Sequence, residues 1–352
     1  MKEYNNKIDV IIPAYNVPDK ILSRCLASIA MQECVDDVEV TIIDDASTEE
    51  NYKAVIKNFE PLMKINLLIM DVNGGPGAAR QYGIDNTSNE LITFIDADDT
   101  FVGAHSLFVL RKVMNDNNAV MSIGNFEKVI ELENNIAFEI HEENYTWLFG
   151  KMFKRLFLKE NEIRFHPTSR ANEDNGFMRI CKFCATKHSK KIVKINKTVY
   201  TWNFSKNSIT RANFCEYNYG TSKKDNFYGY IENMLYAIQY ANNHNITTYD
   251  IADNISIEDF ILETMVYIYS EYIMVCKFAK ENSPKILEYF KRFYDEAYKQ
   301  IEPYLKEEKV NKSVFNSIKI KYDSGEMLGV QPTITFQQFL DLLKTEDVKT
   351  EE

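Results

Sequence analysis

Asp96, Asp98 and Asp99 close the stretch ELITFIDADDT, residues 90–100, where an apolar run gives way to polar positions. Carboxylates crowded at one strand end repel, and a fold tolerates them most easily around a cation or a cationic ligand. Asp96-Ala97-Asp98 is a D-x-D whose outer members face one side if strand geometry persists. Two such carboxylates, with a diphosphate supplying further oxygens, suit Mg²⁺ or Mn²⁺. A second chemical segment is DVNGGPGAARQYG, residues 71–83. Its glycines, Gly75 among them, permit close backbone approach, and Pro76 opens a helix whose free N–H groups favour an anion. Arg80 lies one turn further in, facing the same way, where phosphate or carbohydrate hydroxyls can use it. The segment is neither a P-loop nor G-x-G-x-x-G. A third is RANEDNGFMRI, where Glu173-Asp174 opens an amphipathic helix with Phe177, Met178 and Cys181 as its buried positions.

These residues need elements to place them. IDVIIPAYN is a short apolar run ended by proline, the pattern of a strand buried on both faces. PDKILSRCLASIAMQE, residues 18–33, puts Ile21, Leu22, Cys25, Leu26 and Ile29 at helical spacing. VEVTIIDD, a helix through TEENYKAVIKNF, INLLIMD, the glycine segment and ELITFID continue the alternation. Alternating strand and helix predicts a mostly parallel sheet with right-handed crossovers and helices on both faces. Ligands gather beyond the carboxyl ends of such strands. Strand one ends in Pro13, Ala14, Tyr15 and Asn16, strand two in Asp44, Asp45 and Ser47, strand three in NGGPGAAR, and strand four in the aspartates. Four strand ends therefore converge on one crevice.

From about 216 the pattern becomes helices joined by short polar links. Phe227, Tyr230, Ile231, Met234, Leu235 and Ile238 form one stripe, and 257–279 is apolar on most sides, as for a helix packed among others. The expected organisation is an α/β domain over 1–215 and a smaller all-α region over 216–352. The 352 residues are 45% hydrophobic and 26% charged, ample for both. No apolar run reaches the roughly 18 residues a membrane span needs, and the start lacks a signal peptide's apolar core, so a cytoplasmic location is expected. Six scattered cysteines are expected as thiols, and CKFC at 181–184 is a lone C-x-x-C with no second pair for zinc.

VIIPAYN, VTIIDDAS, NGGPGAARQYG and FIDADD, in this order and spacing, resemble the nucleotide-sugar-binding half of the family 2 glycosyltransferases, which have the GT-A fold. The resemblance covers about the first 125 residues strongly and extends more weakly to about 211. It implies that Pro13, Ala14 and Tyr15 line a nucleoside pocket and that Asp45 hydrogen-bonds the base, usually uracil, with Asp44 able to exchange roles. It implies Arg80 near base and ribose, Asp96 near the ribose, and Asp98 as principal ligand of a Mn²⁺ or Mg²⁺ bridging the diphosphate. Asp99 is expected behind these groups or as a helix cap. Glu173-Asp174 resembles the family's E-D motif, in which the aspartate takes the acceptor proton and the glutamate supports it; a sugar hydroxyl is too weak an acid to be deprotonated beforehand. YTWNFSKNSITR resembles the loop that closes over donor phosphates, with Trp202, Ser208 and Arg211 at the matching positions.

The implied activity is inverting, metal-dependent transfer from a nucleotide sugar, a UDP-sugar by resemblance, to a hydroxyl of a glycan or surface polysaccharide. A nucleotidyltransferase would carry a glycine-rich loop with a basic residue after the first strand, and IIPAYNVPDK has no glycine there. A non-catalytic sugar-nucleotide-binding module would have lost the base or metal positions. The net charge of −11 argues against a general nucleic-acid surface. No acidic residue occurs between Asp174 and Glu216, while Arg179, Lys182, Lys187, Lys190, Lys191, Lys194, Lys197, Lys206 and Arg211 do. That window admits an anionic acceptor, modified DNA bases being one. The helices after 216 would shape the acceptor site or form a homo-oligomer.

Overall fold

The computed structural model describes residues 6–48, 52–131, 135–142, 144–203, 224–250, 255–278, 283–323, 327, 330 and 332–345. The chain divides into two compact units, Met1–Ser205 and Lys206–Glu352.

The first unit begins as the hydrophobic pattern dictates. β1 (Ile8–Ala14), β2 (Val38–Asp44), β3 (Lys64–Ile69) and β4 (Leu91–Phe94) pair in parallel in the order β3-β2-β1-β4. α1 (Asp19–Ala30), α2 (Lys53–Phe59) and α3 (Pro76–Asp85) make the crossovers. α1 buries Leu22, Cys25, Leu26 and Ile29, the face its spacing predicts.

Beyond β4 the sheet is mixed rather than mostly parallel. β5 (Thr100–Phe101), α4 (Ser106–Asn117), β6 (Met121–Glu131), β7 (Ile136–His141), β8 (Lys151–Lys154), α5 (Arg155–Glu160), α6 (Glu173–Lys187) and β9 (Ile192–Trp202) complete the unit. The order continues β4-β8-β6-β9-β5, with β7 alongside β6. β8 is antiparallel to both β4 and β6, so β6 runs in the direction of β4, and β9 is parallel to β6. The carboxyl ends of β1, β2, β4, β6 and β9 thus share one edge, and there β8 and α6 begin.

This topology corrects one sequence expectation. Lys187 ends α6, and Lys190 and Lys191 precede β9, so these exposed lysines lie at the edge opposite the aspartates. The acid-free window is no track leading from Asp174, and the DNA reading loses the observation that motivated it; Lys206 and Arg211 lie outside the described residues.

The second unit is helical over Lys224–Asn243, Ile257–Phe278, Ser283–Phe293, Glu307–Asp323 and Phe336–Lys344. Phe227, Ile231, Met234 and Ile238 are buried from the predicted stripe. It is not all-α: Thr248–Asp250 and Ile255–Ser256 form a small antiparallel ladder, strands too short for a period-two signal. Thr335 and Gln338 form a capping box at the last helix. No described helix is long and apolar enough to cross a membrane. Cys25, Cys34, Cys181, Cys184 and Cys276 are free thiols.

Candidate active site

The shared carboxyl edge collects the polar groups that the sequence singled out, and its backbone is strained there. Asn16, Ala46 and Asn172 take left-handed φ angles of 48°, 58° and 56°, and Gly75 takes 85°. Such non-glycine angles persist only where surrounding contacts over-determine them.

At the end of β2, Asp45 is buried, and its two carboxylate oxygens accept the backbone N–H groups of Gly74 at 2.7 Å and Gly75 at 2.8 Å. Asp45 therefore ties the β3–α3 loop to β2. Burial pushes its carboxyl up from the ordinary range, against the opposing effect of those two N–H donors. Asp44 accepts the Ser47 N–H at 2.8 Å and closes a local turn. Ser47 in turn accepts the Asn16 N–H, while the Tyr52 hydroxyl accepts that of Val17, which fixes the loop after β1. Pro13 and Ala14 are the last residues of β1, paired with Ile43 and Asp44, and the Tyr15 ring stands 49% exposed beside them.

Arg80 holds the centre. Its side chain is buried; Nη2 donates to Asp96 Oδ1 and Nη1 to Glu173 Oε1, both at 2.6 Å. Burial works against the guanidinium charge, but the Asp96 and Glu173 carboxylates outweigh it and hold its pKa above the ordinary value. Arg80 thus joins the D-x-D loop to the first turn of α6. Among the described residues its Nε has no hydrogen-bond partner. The resemblance places this residue near base and ribose, and the structure shows both prongs of its fork on protein carboxylates.

The three aspartates separate into different roles. Asp99 is fully buried, accepting the Tyr200 hydroxyl at 2.6 Å and the Asn203 N–H at 2.8 Å. Burial, then Asp98 and Asp96, raise its pKa well above the carboxylate range. It stands behind the site, as expected from the resemblance. Tyr200 also accepts the Asp96 N–H at 3.2 Å, so one phenol sets the conformation of the loop. Asp96 and Asp98 remain partly exposed on the edge, with Asp96 engaged by Arg80; Ala97 between them is buried. Among the described residues no group of three or more His, Cys, Asp or Glu side chains could hold a metal ion. The donors present are hard carboxylate oxygens, too few for an all-protein cage. They fit Mg²⁺ or Mn²⁺ that completes its coordination with substrate phosphates and water.

α6 is anchored by aromatic packing. Phe177 stacks on Phe165 at 4.2 Å and meets Phe153 of β8 at 5.6 Å and Phe94 of β4 at 6.2 Å. This cluster seats the helix's first turn, Glu173 and Asp174, at the sheet edge. Burial, then the neighbouring Glu173, push the Asp174 carboxyl up to about 7, with Arg80 pulling it down. A carboxylate poised near neutrality is suited to accept a proton in catalysis.

At the far end of the edge, Trp202 closes β9 among Trp147 at 5.8 Å and Phe149 at 5.6 Å, with Lys128 Nζ 5.4 Å from its ring centre. Ser208 and Arg211 lie outside the described residues. Tyr200 and Lys151 are contributors that sequence reasoning missed. Tyr200 read as one more strand aromatic, and Lys151 sits in GKMFK, which resembles a solvated strand end.

A mixed sheet with its carboxylates, a capped glycine loop and an acidic helix start gathered at one edge defines the GT-A class of sugar-nucleotide-dependent transferase folds. Residues 9–176, just under half of the chain, match Glycosyl transferase family 2. Glycosyltransferase GlyA of Streptococcus pneumoniae is 28% identical over 236 residues, 59% of this chain and 32% of that protein. Poly(ribitol-phosphate) beta-glucosyltransferase of Bacillus spizizenii is 30% identical over 183 residues, 49% of this chain and 28% of that protein. The chain thus spans about a third of the length of these curated relatives. In structure it is similar to TarS 1–349 of S. aureus in complex with UDP-GlcNAc, with a TM-score of 0.60 at 15% identity, covering 91% of this chain and 92% of that one.

Proposed function

We propose that the chain is an inverting, metal-dependent glycosyltransferase that moves a sugar from a UDP-sugar to a hydroxyl of an acceptor glycan, a cell-surface polymer. The observation that carries this reading is the Arg80 bridge, which joins the D-x-D loop through Asp96 to the Glu173-Asp174 turn. Donor-side and acceptor-side carboxylates are thereby held at a fixed distance within one packed unit. The UDP-GlcNAc complex of TarS supports UDP as the nucleotide. The name of the Bacillus relative supports a polyol-phosphate polymer as the acceptor class.

In this reading Pro13, Ala14 and Tyr15 line the nucleoside pocket, with Asp44 and Asp45 shaping its floor. Gly75 and the start of α3 place backbone N–H groups near the donor. Asp98, with Asp96 beside it, would hold Mg²⁺ or Mn²⁺, which supplies positive charge to the leaving diphosphate. Trp202 and Arg211 belong to the segment that would cover the phosphates. Asp174 accepts the hydroxyl proton as the acceptor oxygen bonds to the anomeric carbon; the carbon–oxygen bond to the diphosphate breaks, and its electron pair leaves with UDP. Glu173 keeps Arg80 in place and raises the proton affinity of Asp174. The second unit is assigned to acceptor binding or self-association.

Calorimetric titration with UDP, GDP, CDP and ADP, each with and without Mn²⁺, tests the donor side. UDP should bind in a Mn²⁺-dependent manner, and Asp98→Ala should weaken it at least tenfold. Asp174→Asn should keep UDP affinity while losing on the order of 10²–10⁴ in turnover. Anomeric analysis of the product by NMR checks inversion. If no nucleotide binds to folded protein, the transferase reading is wrong.

A further inference from the structure

Lys151 is the first residue of β8, and its side chain has no exposed surface. An ammonium has three protons to donate. Among the described residues its one hydrogen bond runs to the Phe149 carbonyl at 3.3 Å. The backbone at this point is pinned, since the Lys151 carbonyl accepts the Thr93 hydroxyl at 2.6 Å and Lys151 pairs with Ile123 of β6. A buried cation so thinly satisfied is a poor device for stability, because desolvation exceeds what one long hydrogen bond returns.

Register shows what it faces. Side chains two apart on a strand share a face, so Lys151 lies on the face of Phe153. The Phe153 ring meets Phe177 of α6 at 5.6 Å. Asp174 precedes Phe177 by three residues, about one turn, and so projects from the same side of the helix. β8 and α6 both start at the carboxylate edge and run away from it, so stepping back from the Phe153–Phe177 contact along each brings Lys151 beneath Asp174. The other charges around Asp174 come from Glu173 on its own helix, Arg80 on α3 and Asp96 after β4. Asp174 is the carboxylate whose charge acts on Lys151.

We propose that Lys151 is a positioning residue of the transfer reaction, a buried cation on the sheet beneath Asp174 that favours the charged form of this carboxylate through its field rather than through a direct ion pair. Charges then alternate across the site: Asp96, Arg80, the Glu173-Asp174 pair, Lys151. Burial pushes the Lys151 ammonium down to about 7, the same range to which burial and Glu173 raise Asp174. The proposal rests on Asp174 being the base, and the titration that tests it needs no substrate.

Full-length protein with ¹³Cγ-labelled aspartate is titrated by NMR, the Asp174 signal being the one absent from Asp174→Asn. In Lys151→Met, a near-isosteric neutral change, the Asp174 midpoint should shift upward. Lys151→Arg, which keeps the charge, should hold the midpoint near wild type. Lys151→Gln serves as a second neutral variant should Lys151→Met fail to give a cooperative melt. An unmoved midpoint in a folded neutral variant overturns the proposal. Turnover of UDP-GlcNAc with Mn²⁺, measured on Asp174→Asn, separates the two readings: retained turnover rejects Asp174 as base, whatever Lys151 does to its titration.

Discussion

At the scale of single residues, Arg80 combines functions that point charges cannot share. A guanidinium presents two donor prongs in a rigid fork, and here one prong serves Asp96 and the other Glu173. Arg80→Ala leaves both carboxylates without their buried cation, which by comparison with other broken buried pairs costs about 3–5 kcal/mol. Urea denaturation at pH 7 measures this loss. Arg80→Lys keeps the charge but not the fork, so it should recover part of the stability while turnover stays low, since a single ammonium cannot fix both loops. Because Arg80 lowers the proton affinity of Asp174, both variants also bear on the pH profile. Asp174 must be ionised to accept a proton, so wild-type kcat/KM should rise with pH through about 7. In Arg80→Ala that rise moves to higher pH. A profile flat from pH 5 to 8 in the wild type would contradict the assignment of the base.

At the scale of elements, close approach between α3 and its neighbours divides stability from function. A Cβ added at Gly83 would lie 2.5 Å from Ile11 Cγ2 on β1, whereas one at Gly77 would lie 2.8 Å from Glu173 Cγ. Gly83→Ala forces helix off sheet, and overpacking of this kind costs about 1–3 kcal/mol, partly offset by alanine's better helix propensity. Gly77→Ala meets Glu173 Cβ at 2.9 Å as well as its Cγ, so the start of α6 must give along with the side chain. Moving Glu173 loosens the bridge to Arg80, and the loss should appear in turnover. Thermal melts should therefore show a cost in both variants, and kcat should fall further in Gly77→Ala than in Gly83→Ala. The elements around this contact were the ones legible in sequence: β1, β2 and β4 are predominantly apolar runs, and Pro76 and the glycines mark where α3 begins. The mixed half was less legible for a physical reason. β8 has four residues, two of them lysines, and β6 pairs with β9 across some 70 residues of chain, so neither leaves a local period to read. Lys151 was hidden for the same reason, since its burial is made by strands that its own neighbours do not announce.

At the scale of the whole molecule, the buried charges of the site impose a pH dependence on folding. Asp174 binds its proton up to about 7 when folded but only to its ordinary value of 3.8 when unfolded. Between these values the native state holds more protons, so this contribution is complete below pH 3.8 and is lost as pH rises through 7. Lys151 has the opposite sign: its ammonium deprotonates near 7 when folded and at 10.5 when unfolded. Its contribution is present above pH 10.5 and is lost as pH falls through 7. Both penalties are therefore substantial near neutrality, each on the order of a few kcal/mol. They coincide where an ionised Asp174 can act. A double variant, Asp174→Asn with Lys151→Met, removes both groups. Its unfolding free energy should exceed that of wild type at pH 7, and the difference should narrow toward pH 4 and toward pH 10. Urea denaturation at pH 4, 7 and 10 checks this; a difference independent of pH would mean that the two groups titrate normally and that the site is not held at the expense of stability.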